Sequence, residues 1–213
     1  MKHYNLPLLT LYLTLATGLL SACMGGAAPP RDHYYRLTAD TALPRTPTTL
    51  TYSHIGVLPS VARGLYAERP LLYVDTEAPL ELQQYHYHHW HDVPARLLQQ
   101  HLVDWLQRQA PASRIVALDY GASVGQARGA LDNPQREALL LTRIQRFERN
   151  ITGSHIEVLV ELDISLQQDQ QVVHQQTYRQ HVRLTDNTMQ ATVQAFADAL
   201  EAIYSALLDN LRR

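Results

Sequence analysis

The chain has 213 residues, a formal net charge of −2 and an apolar content of 46%. That suits one globular domain with a sizeable core and offers no basic stripe for a nucleic acid. Lys2 is the only lysine and Cys23 the only cysteine, so Schiff-base, phosphate-loop and protein-kinase chemistries beyond the N-terminus are excluded, as is a disulfide-stapled fold.

The chain opens with a basic Lys2 and a largely apolar run, Leu6 to Leu20. The run is the length of a signal-peptide core and shorter than the roughly 20 apolar residues of a spanning helix. It ends Leu20-Ser21-Ala22-Cys23, which resembles the lipobox of bacterial lipoproteins. In that pattern the Cys23 thiol takes a diacylglycerol, and the small residues before it let a peptidase reach the adjacent bond. The expected products are a signal peptide, 1–22, removed on processing, and a lipidated tether, 23–32, carrying Gly25-Gly26 and Pro29-Pro30. A second acyl chain would make the anchor durable, because one chain binds membranes only marginally. The alternative is an ordinary secretory signal followed by a buried cysteine. Met24, where enterobacterial sorting rules read Asp as inner-membrane retention, points to the outer membrane.

From His33 the elements follow in order. A first strand is expected over 33–39, a second over Thr51–Pro59, a third at Pro70–Asp75 and a fourth at Glu81–Trp90. Asp92 is a candidate N-cap for a helix running to about Gln109, with Pro94 in its first turn. Leu98, Leu102, Trp105 and Leu106 share one face of that helix. A short strand at Ile115–Leu118 precedes a loop, 121–135. Three strands follow in series: Glu137–Arg149, a central strand with Ile156, Val158, Val160, Leu162, Ile164 and Leu166 at period two, and a third ending near Leu184. Glu137, Glu148, Glu157, Glu161 and Asp163 read as solvated strand faces. A closing helix from about Thr188 carries a stripe through Met189, Val193, Phe196, Leu200, Ile203, Leu207 and Leu211, with Asp186 or Asn187 as its cap. The expected fold is α+β, an antiparallel or mixed β-sheet with two helices packed on one face, in a single domain over 33–213.

The stretch YHYHHWH, Tyr85 to His91, holds four histidines in six positions. On a strand, Tyr85, Tyr87, His89 and His91 point one way and His86, His88 and Trp90 the other. A pair at i and i+2 can chelate a metal, but a zinc site needs a third ligand from elsewhere, such as His101 or a carboxylate. An edge strand or a binding surface accounts for the same residues. No nucleophile elbow or zinc-protease spacing accompanies them, and no catalytic residue is assigned.

The ordered set "YYRL" (Tyr34–Leu37), Ile55-Gly56-Val57, Leu65-Tyr66, Arg69-Pro70, Trp90 and Leu141–Phe147, behind a lipobox, resembles the ABC-type transport auxiliary lipoprotein family, of the paraquat-inducible C-subunit type. The family's Trp is followed by W-A-E-P, where this chain has His91-Asp92-Val93-Pro94, one residue longer. The resemblance implies a non-enzymatic lipoprotein without a cofactor on the periplasmic face of the outer membrane. Its implied partners are an MCE-domain protein and, through it, an inner-membrane permease, in a system that moves lipid between membranes. A homo-oligomer matched to a symmetric partner stays open. A stand-alone envelope lipoprotein that binds a small ligand or assists assembly is the alternative.

Overall fold

A computed structural model describes residues 30–38, 47–119, 137–169 and 171–212. The signal segment, the lipobox, most of the tether and the loop 121–135 lie outside them. Eight strands, β1 (His33–Tyr35), β2 (His54–Val57), β3 (Pro70–Asp75), β4 (Leu82–Trp90), β5 (Arg114–Ala117), β6 (Glu137–Thr152), β7 (His155–Gln168) and β8 (Gln171–Arg183), form one mixed sheet. Among the described residues, two helices, α1 (Pro94–Gln109) and α2 (Met189–Leu211), accompany it.

The long antiparallel hairpins come from the clearest patterning. Val158, Val160, Leu162, Ile164 and Leu166 are all buried on one side of β7. The wet face between them is a cross-strand ladder, in which Glu161 pairs with Arg179, Asp163 accepts from Thr177 at 2.7 Å, and Glu157 meets His181 at 2.9 Å. Opposite charges facing each other across strands hold register as well as solubility. Gly153, with φ of 55°, supplies the left-handed conformation that the tight β6–β7 turn requires.

β6 organises the rest. β7 occupies one of its edges along its length, while the other edge is divided between two parallel partners. β2 takes Glu137–Leu140, Val61 bridges to Arg143, and β3 takes Arg149–Ile151. Residues 54–75 therefore run beside β6 as one interrupted strand, with a 3-10 turn at Gly64–Ala67 looped out of it. Beyond β2 lies β5, and beyond β3 lie β4 and β1. A register shift between Ile144 and Arg146 lets Ile144 and Phe147 both reach the core, although they are an odd number of positions apart.

Both helices contribute to the same core as the inner face of β7. Tyr204 of α2 meets Trp105 and His101 of α1 at centroid distances of 5.8 and 5.7 Å. The α+β architecture with a mixed sheet and two helices is as expected, and three local expectations are corrected. The first two strands are shorter, because β4 and β5 offer only three and four partners to them. Asp92 does not cap α1. Val93 holds that position, and Asp92 instead accepts from the Val93 N–H and pairs with Arg96 at 2.7 Å. Thr188, not Asp186 or Asn187, caps α2. Its Oγ1 accepts from Ala191 N–H at 3.1 Å, while Asp186 receives the Thr188 N–H and so braces the cap. Thr188→Ala should cost about 1 kcal/mol of unfolding free energy, read by urea denaturation.

Candidate functional site

His33, Tyr34, Tyr35, Tyr85, His88 and His89 converge on the edge formed by β1, β4 and β3. β1 lies parallel to β4, His33 beside His88 and Tyr34 beside His89, and these side chains stack at 5.2 and 5.6 Å. Tyr35 Oη and His88 Nδ1 share a hydrogen bond of 2.8 Å. The simple alternation expected for Tyr85–His91 is corrected. The β3–β4 register shifts between Pro70 and Leu72, and Tyr85 comes round to meet the His88 ring edge-on at 5.7 Å. His88 stands against Tyr35, Tyr85 and His33, so burial first, then the neighbouring His33, His89 and Arg149, lowers its pKa. Among the described residues, no three His, Cys, Asp or Glu side chains stand close enough to hold a metal ion.

Inside this edge lies a buried polar set with no sequence signature. Arg149, 4% exposed, donates to Tyr85 Oη at 2.7 Å and to Asn187 Oδ1, joining β6 to β4 and to the turn before α2. Glu148, expected on a solvated face, is 1% exposed: the 3-10 turn places Tyr66 Oη on its carboxylate, and Arg146 pairs with it at 2.6 Å. Burial and then Glu148 push the Tyr66 pKa up, which keeps this phenol a donor.

Arg69 and Trp90, separated by 21 positions, also meet. Trp90 N–H donates to Arg69 O at 2.7 Å, and Arg69 Nε donates back to Trp90 O at 3.2 Å. The Trp90 ring then reaches Phe147 and Phe196, both at 5.3 Å. The short sequence motifs noted above are therefore framework, the joints of β3, β4, β6 and α2.

A cleft of about 440 Å³ opens at the start of α1, lined by Arg36, His91, Asp92, Arg96 and Asp119 among others. Its deepest side chain, His101, is 3% exposed and no hydrogen bond reaches either ring nitrogen. Burial, with a smaller contribution from Arg108, pushes the His101 pKa down to about 4 from 6.5. The folded state therefore prefers the neutral ring. The stability it retains above pH 6.5 is lost as pH falls from 6.5 towards 4, where the unfolded chain binds the proton first. A shift of that size corresponds to roughly 3 kcal/mol. His101→Leu should flatten the decline of unfolding free energy by about 2 kcal/mol of that, measured by urea denaturation at pH 7 and pH 4.5.

The lipobox residues Leu20, Ser21, Ala22 and Cys23 lie outside the described residues. Two crystal structures share the fold. Protein XCC0632 from Xanthomonas campestris aligns at 19% identity over 82% of this chain and 91% of its own, with a TM-score of 0.64. An uncharacterized protein aligns at 12% identity over 85% of this chain and 99% of its own, with a TM-score of 0.65. No curated protein matches the sequence. The model of the ABC-type transport auxiliary lipoprotein component matches residues 35–207, from the end of β1 into the last turns of α2. With every strand after β1, all of α1 and most of α2 inside that span, the chain belongs to the ABC-type transport auxiliary lipoprotein family.

Proposed function

We propose that this chain is a non-enzymatic subunit of an MCE-type intermembrane lipid transport system, anchored by lipid on Cys23 to the periplasmic face of the outer membrane. The observation that carries the reading is the family match across residues 35–207. The lipobox Leu20–Cys23 supports it, with residues 1–22 removed, 23–32 as tether and 33–213 as the docking domain. The partner is an MCE-domain protein and, through it, an inner-membrane permease. Open strand edges give such a partner something to hold: β8 is exposed along most of its length and, among the described residues, pairs on one side only.

The test is a crosslinking pull-down of the acylated protein from cell envelopes, with mass spectrometry of what accompanies it. Recovery of an MCE-domain protein and a permease supports the docking role. Repeated recovery of neither, from an outer-membrane fraction that retains the protein, removes it. The cleft at α1 favours a second reading, an envelope lipoprotein that binds a small ligand, since its volume lies within the range of ligand pockets.

A further inference from the structure

Leu80 is fully exposed at the turn between β3 and β4. That turn is a built structure. Asp75 Oδ1 accepts from Glu77 N–H at 3.0 Å, Ala78 N–H donates to Asp75 O at 2.9 Å, and Glu81 N–H donates to Ala78 O at 2.9 Å. Thr76 N–H ties the turn to Ile151 at the end of β6. A leucine held outward on a rigid tip is one exposed apolar group, which alone means nothing. Two more large groups share the edge, however: Tyr34 is 56% exposed and Tyr87 44%.

The direction of the chain joins these observations. β1 runs parallel to β4 with His33 beside His88, and β1 covers only His88–Trp90. The described residues 30–32 therefore enter β1 from the side of β4 that carries Leu82 to Tyr87, the side of the tip. Cys23 lies ten positions before His33, a reach of at most roughly 35 Å. The β3–β4 register sets Leu82 beside Val74 and His89 beside Pro70, so the tip at Leu80 lies at most roughly 20 Å from the level of His88. An acylated Cys23 can thus reach the plane of the tip. Asp75, Glu77 and Glu81 flank Leu80, so the tip itself offers no attraction to anionic lipid.

We infer that the β3–β4 tip and the Tyr34–Tyr87 edge rest on the membrane surface, a zwitterionic phospholipid surface, with Leu80 in the boundary between headgroups and acyl chains. Tyrosine suits that boundary because its ring is apolar and its hydroxyl stays wet. The inference rests on the anchoring of Cys23 proposed above. It directs the opposite end of β6, where β2 and β5 pair, away from the membrane.

The test uses the full acylated protein in vesicles of phosphatidylethanolamine and phosphatidylcholine, some containing brominated lipid. Trp90 and Trp105 are each 1% exposed, so Leu80→Trp adds a reporter over a buried background. Val172→Trp, beside Gln167 at the far end of the sheet, is the control. Vesicle flotation of each variant reads the anchor independently. The expected result is emission shifted to the blue for Leu80→Trp and bromolipid quenching at least threefold stronger than for Val172→Trp, unchanged at 0.5 M salt. Flotation with equal quenching at both positions, or with stronger quenching at Val172→Trp, overturns the orientation and leaves the anchor standing. Failure to float removes the anchor, and the orientation with it.

Discussion

Trp90→Ala is expected to lower the unfolding free energy by roughly 3–5 kcal/mol, the largest loss from any single truncation discussed for this domain. Trp90 is 1% exposed at the end of β4. Its ring touches Phe147 of β6 and Phe196 of α2, which also touch each other at 4.3 Å. Removing the indole leaves a cavity at the meeting point of a strand near the sheet edge, the central strand and a helix. None of the three can close it without breaking its own pairing, so the cavity contribution adds to the lost transfer energy. Urea denaturation followed by far-UV circular dichroism measures it, with an unchanged slope if the transition stays two-state. A loss below about 1.5 kcal/mol would show that the Phe147–Phe196 contact holds this junction unaided.

The long elements were legible because their signals are local and repeated. β7 shows strict period two, and α2 carries its stripe of three- and four-residue steps into a buried face from Phe196 to Leu211. Short strands carry no such signal. β2 and β3 are read correctly as extended, but nothing in their residues states that both run parallel to β6 on one edge. That arrangement is decided by tertiary pairing. Register shifts, such as those in β6 after Ile144 and between β3 and β4, also escape a reading by alternation. The second turned Tyr85 towards His88, against the face assigned to it.

The candidate site divides in the same way. Leu20–Cys23 is an expectation drawn from four adjacent residues alone, and it lies outside the described residues. The Arg149–Tyr85–Asn187 set spans 64 and 38 positions, and no periodicity relates residues so far apart. Glu148 misled for a related reason. Its alternation is that of a strand face, and only the 3-10 turn crossing above it makes that face an interior.

Cys23→Ala is expected to abolish palmitate incorporation and to cut the outer-membrane fraction of the protein at least tenfold. Without the thiol no diacylglycerol can attach, and in the lipoprotein pathway the cut before residue 23 depends on that attachment. The variant should therefore keep residues 1–22 and be heavier than the processed protein by that segment less the lipid. A single acyl chain confers binding of only about 10⁴ M⁻¹, so durable anchoring depends on the complete modification. The fold should be untouched, since residues 32–213 form one compact unit; thermal unfolding of the variant should match that of the wild type. Palmitate labelling, intact-mass measurement and membrane fractionation check the three expectations separately. Labelling that survives the substitution would refute the lipobox. Labelling that disappears while the protein stays in the outer membrane would place its attachment in protein contacts, and β8 and the β1–β4 edge would then be the surfaces to mutate.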